Sequence, residues 1–501
     1  MSIFNNNLLA GAAAQGGTTP VHTIDQSIRF PWESITSGGY MHRTPSSAGD
    51  RTSWTWSCWF KLGGLNGFTP ASNYYYALFS VDNATNDANR GTLQIIADSG
   101  VESAIKFQFL GHSTVFLKTT RQFRDPSAWM HLVLVWDSDN AVPTERARLY
   151  INGQRETSFT TQNNPTSGQE IGINLNAEHR IGGTKNISSS ALNYPWDGYM
   201  ADIHFLDGYS YGPEYFGETK SNGLWIPKEY SGSYGTNGFK IDGRDSADLG
   251  DDESGNGNDF STSGLAAHDQ VFDTPTNNFC VLNPVDKPTY GSYAARNVTG
   301  VNLQVTENGD GSVQSYGMGT MAVSSGKWYY EVYTNTYPAG NALAFGVIEL
   351  ENAETATDSA GSWKEIGINQ RHTTSAYSYW VWGLSSLTAT GLTPFGQGVT
   401  IGVTTDFDNN TMTFTKDGSA YGSVDFDTTS PTYTLSGVLH KPILFFGADG
   451  VSLATLNFGQ DSTFNGAVTA GGNADANGHG NFKYAVPSGA LALCTKNLGA
   501  D

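Results

Sequence analysis

The sequence predicts an all-β protein, with two antiparallel β-sandwich domains joined by an ordered connector and an N-terminal attachment arm. Three observations predict it. Aromatic residues are abundant, with 24 Tyr, 26 Phe and 12 Trp. Gly is frequent, at 59 of 501 residues, while charged residues make up only 15%. Frequent turns, many aromatics and few charges suit short antiparallel strands. Finally, apolar residues alternate with period two in segment after segment, and residues 21–230 show no convincing helical period. At ~150 residues per domain the length allows about three units.

The formal net charge is −20. A phosphate-binding protein needs a basic stripe to displace counterions, and the sequence has no Lys/Arg cluster. Nucleic acid and anionic membrane surfaces are therefore poor partners, and the charge favours solubility. Cys58, Cys280 and Cys494 stand far apart, with no CxxC pair. Neither a zinc site nor a disulfide framework is indicated, so buried thiols are expected. No run of ~18 apolar residues offers a membrane span.

Taken in order, residues 1–20 read MSIFNNNLLAGAAAQGGTTP. The apolar part, 8–14, lacks a basic flank and is short for a signal peptide. It reads instead as an arm whose Phe4, Leu8 and Leu9 pack into a partner or fold back on their own domain. Residues 21–230 read as the first sandwich. WTWSCWF (54–60) puts Trp54, Trp56, Cys58 and Phe60 on one face. HLVLVW (131–136) is apolar throughout, as expected of a strand covered on both sides. ARLYING (147–153) ends in Asn-Gly, a strong hairpin signal. GYMADIHFLDG (198–208) alternates again.

Residues 231–290 are crowded with Gly, Asn, Asp and Ser, the residues of turns. Between them sit short apolar clips: Phe239 and Ile241, then Val271 and Phe272, then Phe279, Val281 and Leu282. The reading is an ordered connector pinned at a few points onto its neighbours. Residues 291–464 form the second sandwich. GKWYYEV (326–332) puts Trp328, Tyr330 and Val332 on one face, and Ile401, Val403, Met412 and Phe414 are expected in the core. Turns are expected at 408–410 and 416–418. Residues 465–501 read as a C-terminal clip, with Phe482, Tyr484, Val486, Leu491 and Leu493 docked on a domain.

Several of these segments carry resemblances. YMHRTPSSAGDRTSWTWSCWFKL (40–62), FRDPSAWMHLVLVWD (123–137), RLYINGQ (148–154) and DGYMADIHFLDG (197–208) resemble laminin-G-like (concanavalin A-like) domains. That implies a jelly-roll sandwich, in a family whose members often bind glycans or proteins, some with calcium. SSGKWYYEVY (324–333), ALAFGVI (342–348), VTIGVTTDFDNNTMTFTKDG (399–418), PILFF (442–446) and LATLNFGQDSTF (453–464) resemble a SPRY domain, with Tyr330 where Trp is commoner. That implies a bent sandwich whose loops bind proteins or peptides. SGNGNDF (254–260), DTPTNNFCVLNP (273–284), the FKYAVPSG (482–489) and ALCTKNL (492–498) pair, and the start FNNNLLAGAAAQGG (4–17) are similar to a protein type of tailed bacteriophages.

The resemblance implies a virion protein, made in the host cytoplasm without a signal peptide and placed on the tail or capsid surface. The arm would join it to other virion proteins. Its expected function is that of a non-enzymatic tail fibre or appendage recognising a host-surface glycan or protein. The alternative is a capsid decoration or head-fibre protein with a structural role. By family analogy it would be a homotrimer.

GYSYG (208–212) matches GxSxG, but a nucleophile elbow needs a helix after it, and Pro213 comes next. Retaining glycosidases need two carboxyls ~5 Å apart, and Asp202 stands alone on its strand. No cofactor is expected, except that Asp251, Asp252, Asn256, Asn258 and Asp259 form an oxygen-rich loop that suits calcium or a simple Asx-rich turn. Exposed aromatics are the remaining candidates for ligand contact. They are Tyr74 and Tyr75, Trp196, Tyr209 and Tyr211, and Tyr377 and Tyr379.

Overall fold

The computed structural model describes residues 22–499, apart from 65–73, 82–89, 98–104, 112–113, 186–190, 286–297, 309–314, 339–341, 351–364, 372–376, 382–384, 389–394, 429–432 and 447–450. Of the strands between 365 and 388 it describes the backbone alone. The arm residues Phe4, Leu8 and Leu9 lie outside the described residues. The fold is nearly all β, with antiparallel sheets, and the chain divides into two compact units between Thr276 and Asn277.

In the first unit the central strand of one sheet is Ser53–Leu62, flanked by Met130–Asp137 and Gly198–Asp207. Beyond them lie Ala147–Ile151 and Gln154–Arg155 on one side, and Ser27–Phe30 and Gln270–Val271 on the other. The facing sheet runs Phe159–Gln162, Thr114–Thr119, Ile105–Gly111, Gly91–Ala97, Tyr74–Val81, His179–Ile181, Tyr40–Arg43, Ser261–Ser263. Alternation does what the sequence predicts. Trp54, Trp56, Cys58, Phe60 and Leu62 all enter the core between the sheets, where Trp56 stacks on Phe79 with ring centroids 6.0 Å apart.

The apolar run of Met130–Asp137 is explained by its two faces. Leu132, Leu134 and Trp136 enter the core, while Val133 and Val135 lie under a second apolar layer on the sheet's outer face. That layer is made by Leu206, Phe216, Tyr230 and Tyr234. The hairpin after Ala147–Ile151 turns at Asn152 (φ 49°) and Gly153 (φ 73°), the two left-handed positions that an Asn-Gly turn supplies.

The stretch read as a connector does more than pin. Phe239–Ile241 pairs with Gly198–Asp207, Ser261–Ser263 with Tyr40–Arg43, and Gln270–Val271 with Ser27–Phe30. Residues 231–276 thus complete both sheets of the first unit. Strands of two or three residues show no period, so the sequence hides them. Phe272 departs from the expected clip, at 36% exposure, because it points away from its fully buried neighbour Val271. Asp273 of the DTP motif is wholly buried and accepts from Lys61 Nζ (2.7 Å) and Trp129 Nε1 (3.0 Å). Thr276 Oγ1 donates to Ile24 O at 2.6 Å. Ser27 Oγ donates to Asp273 O at 2.6 Å, so the motif locks the last part of this unit onto its first strand and onto the end of its central one.

The second unit is also a sandwich. One sheet runs Val298–Thr299, Gln304–Asn308, Val451–Asn457, Lys327–Thr336, Thr400–Asp406, Thr411–Lys416, Ser419–Asp425; the other runs Ser315–Met318, His440–Phe446, Ala342–Glu349, Glu365–Arg371, Tyr377–Val381, Ser385–Thr388. Tyr330, Val332, Ile401, Val403, Met412 and Phe414 lie in the core as predicted, with Trp328 half-buried against it. Asn410, Asp417 and Gly418 take the left-handed turns.

The C-terminal residues close the outer face of Lys327–Thr336. Leu491–Ala492 pairs with it in parallel, and Phe482, Ala490, Ala492 and Cys494 pack with Phe279 and Tyr329. Leu493 reaches the core, and the segment ends in a short helix, Thr495–Leu498. All three cysteines are free and buried.

Candidate ligand-binding surface

The outer face of the first unit's central sheet carries one of the aromatic clusters that the sequence picked out, Tyr209 and Tyr211. The Gly198–Asp207 strand ends at Gly208, which turns the chain at φ 85°. Thr55, pointing outward from Ser53–Leu62, then pins the next residues. Its Oγ1 donates to Tyr209 O (2.8 Å) and accepts from Tyr211 N (2.9 Å). The chain continues into a single 3-10 turn, Pro213–Tyr215. The rings of Tyr211 and Tyr215 stack almost parallel, with centroids 4.2 Å apart and planes 8° apart. Tyr209 meets Tyr211 at 5.4 Å.

Tyr209 and Tyr211 are half-buried against the outer apolar layer, whereas Tyr215 is 41% exposed. Tyr230 anchors the base, stacked on Phe216 (5.3 Å) with its hydroxyl donating to Ser233 O at 2.7 Å. Burial first, and then its tyrosine neighbours, push the Tyr230 phenol well above its usual range, so that hydroxyl stays neutral. Polar groups ring the column. Arg148 Nη2 donates to Ser210 O at 3.4 Å, and Lys228 Nζ donates to Glu214 O at 2.9 Å. A side chain at Gly212 would collide with the Glu214 carboxylate, so glycine leaves room for that group beside the column. Sequence reasoning found Tyr209 and Tyr211 but missed Tyr215 and Tyr230. The signal for Tyr215 was the YSYGPEY spacing, in which Pro213 starts a turn that brings position 215 over 211.

The other aromatic candidates are placed differently. Trp196 is fully buried and meets Phe60 edge-on at 6.1 Å, so it is core rather than contact surface. Tyr74 is 7% exposed, accepting from Trp32 Nε1 at 3.3 Å. Tyr75 is half-buried against Tyr194 at 5.0 Å. The backbones of Tyr377 and Tyr379 lie in the Tyr377–Val381 strand, and their side chains lie outside the described residues.

In the 251–259 loop the oxygens serve the chain itself. Asp252 Oδ1 accepts from Lys240 N and Ser254 N, and its Oδ2 accepts from Asn258 N and Ser254 Oγ, all within 2.8–2.9 Å. Asp259 Oδ1 accepts from Asp252 N at 3.1 Å. The amides of Asn256 and Asn258 both donate to Gly238 O, and Asn258 accepts from Arg43. Asp251 is exposed. The geometry is an Asx-built turn. Among the described residues no group of three or more His, Cys, Asp or Glu is arranged to hold a metal ion.

Two buried networks lie beneath the surface. Asp202 sits at a bulge with φ 48° and is almost wholly buried. Burial alone would raise its carboxyl; His204 (3.1 Å), His22 (3.6 Å) and Lys240 (3.9 Å) outweigh that and hold it well below the usual range. The Asp202 carboxylate is therefore engaged in internal ion pairs. His131 lies between the indoles of Trp59 (4.8 Å) and Trp225 (5.9 Å). Trp225 Nε1–H can only donate, so His131 Nδ1 accepts (3.1 Å), and Nε2 donates to Ser57 Oγ (2.8 Å). Burial pushes its pKa down to about 3.

Comparison with known proteins agrees with this division. Residues 36–209 match the family model of the concanavalin A-like lectin/glucanases superfamily, and residues 327–440 match the SPRY domain. No curated protein matches the chain. Among solved structures, a SAP-like pentraxin from Limulus polyphemus shares 15% identity, covering 38% of this chain and 78% of its own, with a TM-score of 0.29. The SPRY domain of human HERC1 shares 16%, covering 31% and 87%, with a TM-score of 0.23. Domains LG4-5 of the mouse laminin alpha1 chain share 11%, covering 86% and 83%, with a TM-score of 0.27. At these identities and scores none carries an argument about function. The chain carries a concanavalin A-like domain followed by a SPRY domain, the domain content that its sequence motifs imply.

Proposed function

We propose that this chain is a non-enzymatic surface-recognition protein of a tailed-phage particle, a tail fibre or equivalent appendage that meets a host-surface glycan or protein through its first sandwich. Lectin-like and SPRY domain matches support a binding or structural role. The observation that carries the recognition reading is the tyrosine column. Tyr215 is held 41% exposed at the end of a stack of rings, where a ligand can reach it. The particle assignment rests on the phage-like motifs 254–260, 273–284 and 482–498 and on the arm at 4–17. The arm would attach the protein to other virion components, and the subunits would assemble as a homotrimer.

The test is binding of labelled, purified protein to host cells, with competition against phage adsorption. Saturable binding that blocks adsorption is the expected result. Absence of binding by a folded, correctly assembled sample would move the protein to a decoration role on the capsid.

A further inference from the structure

We propose that residues 481–488 form a hinged strap that opens locally as pH rises, released from the outer face of Lys327–Thr336 by ionisation of the buried Glu331 carboxyl. The strap lies in the second unit, and the proposal stands apart from the surface-recognition reading.

The strap runs between two glycines in left-handed conformations, Gly480 at φ 89° and Gly489 at φ 75°. Glycine has the backbone freedom that a hinge needs. At its start, Asn481 N donates to Gly459 O at 2.7 Å, and Phe482 exchanges two backbone bonds with Asn473, at 2.6 and 3.1 Å. The next two N–H groups, of Lys483 and Tyr484, both end on Glu331, at 2.9 Å each. Beyond them Ala485 and Ser488 are exposed. The Phe482 ring is fully buried, with its centroid 5.1 Å from that of Tyr329, so opening the strap uncovers Tyr329. Local opening of a short segment with few bonds costs less than unfolding the domain.

Glu331 is the post to which the strap is tied, and it has no exposure. From its own strand Tyr329 Oη donates to it at 3.2 Å, and from Val451–Asn457 the Asn457 Nδ2 donates at 3.1 Å. The strand Thr400–Asp406 places Gly402 opposite it. From the strap come the two backbone N–H groups, while the Lys483 ammonium turns to Thr469 O at 2.6 Å and the Tyr484 hydroxyl bonds to Asp417. These donors to the carboxylate are all uncharged. Burial outweighs them and lifts the carboxyl from an ordinary 4.5 to about 7. The neutral acid also fits the site. Of the four donors Tyr329 Oη alone can accept the acid proton, and Tyr329 has the Thr415 hydroxyl to bond in turn.

Opening returns Glu331 to water and to its ordinary value. The raised carboxyl favours the closed strap fully below pH 4.5, and the advantage is lost as pH rises through 7. Between pH 5 and pH 8 the opening equilibrium rises roughly 70-fold on these values.

The experiment is hydrogen exchange read by mass spectrometry on the full-length protein at pH 5 and pH 8, with labelling times scaled to the intrinsic exchange rate. Peptides covering 481–490 report the strap, and peptides covering 400–416 report the sheet beneath it. The expected result is strap opening that increases at least about tenfold from pH 5 to pH 8, reverses on return to pH 5, and has no counterpart in the sheet. Glu331→Gln keeps one acceptor oxygen and cannot ionise, so it should make strap opening independent of pH. Strap opening that is the same at both pH values in the wild type overturns the proposal. A rise shared equally by the sheet overturns it too, because the whole unit is then unfolding, and so does a rise that persists in Glu331→Gln. Should the glutamine variant fold poorly, the wild-type comparison of strap with sheet decides alone.

Discussion

His131 shows how a single side chain ties stability to pH. It is sandwiched between two indoles and kept neutral, with its pKa near 3, and His179 is likewise buried with its pKa near 4. In the unfolded chain both would take up a proton near pH 6.5. The unfolded state therefore binds more protons below that value, and folding stability falls as pH falls. The contribution is fully present above pH 6.5 and is lost down to about pH 4, at ~1.4 kcal/mol per pH unit for each group. Asp202 adds its own loss only below its usual range, because its folded pKa is depressed. Thermal melts of the first unit should therefore drop steeply between pH 6.5 and 4.5. His179→Gln should flatten that slope by roughly half, and an unchanged slope would reject the assignment. None of this was legible in the sequence. The hydrogen-bond partners of the buried His131, Ser57 and Trp225, lie 74 and 94 residues away.

Elements were legible where a pattern repeats. The alternation of 54–60 and 326–332, the apolar run at 131–136 and the Asn-Gly turn each named a real strand or hairpin. Outside the strands no period says which way a side chain turns, so Trp196, just before Gly198–Asp207, looked like a contact residue and is core, while Tyr215, in a 3-10 turn, was passed over. The hairpin turn permits a sharp test. Gly153 lies at φ 73°, and a β-carbon there would run into the Trp225 indole. Gly153→Ala should cost upwards of about 1 kcal/mol and disturb the Trp225–His131 stack, read as a change in near-ultraviolet circular dichroism. Wild-type stability and spectrum in this variant would count against the packing described.

The C-terminal segment hangs on another hidden element, the outward face of Lys327–Thr336. Glu331 there is fully buried without a cation, and its two oxygens accept from Lys483 N (2.9 Å), Tyr484 N (2.9 Å), Asn457 Nδ2 (3.1 Å) and Tyr329 Oη (3.2 Å). Burial raises its carboxyl to about 7 against the pull of those donors. The sign is opposite to that of the histidines. A raised carboxyl favours the folded state at low pH, and the contribution is lost as pH rises from about 4.5 to 7. Glu331→Leu keeps the bulk but leaves two backbone N–H groups unsatisfied, a cost of about 2–4 kcal/mol. The expected readout is early proteolytic loss of the 465–499 segment together with a flattened pH dependence. A segment that stays protected would show that apolar packing through Phe482 and Leu493 suffices.

At the scale of the whole molecule the sequence showed two sandwiches but drew their border in the wrong kind of place, at a change of composition. Physical borders follow pairing. The turn-rich residues after 230 look like a linker because Gly and Asn dominate them, yet they supply three strands and Asp273 to the first unit. Truncation tests the difference. A chain ending at Thr276 retains the Phe239–Ile241, Ser261–Ser263 and Gln270–Val271 pairings and the Lys61–Asp273 ion pair. It should fold cooperatively and be soluble. A chain ending at residue 230 loses all of these. Lys61, with no exposure at all, would lose the Asp273 carboxylate that pairs with it, at a cost of about 3–5 kcal/mol. Removal of Phe239, Ile241 and Phe260 would also open the core to water. Against a total stability of ~5–15 kcal/mol for a domain, the shorter chain should fail to fold or aggregate. Adding Lys61→Met to it should recover part of the loss, because an apolar side chain needs no counter-ion. Equal stability of the two truncated chains would overturn the assignment of residues 231–276 to the first unit, and rescue by Lys61→Met would separate the electrostatic cost from the loss of strand pairing.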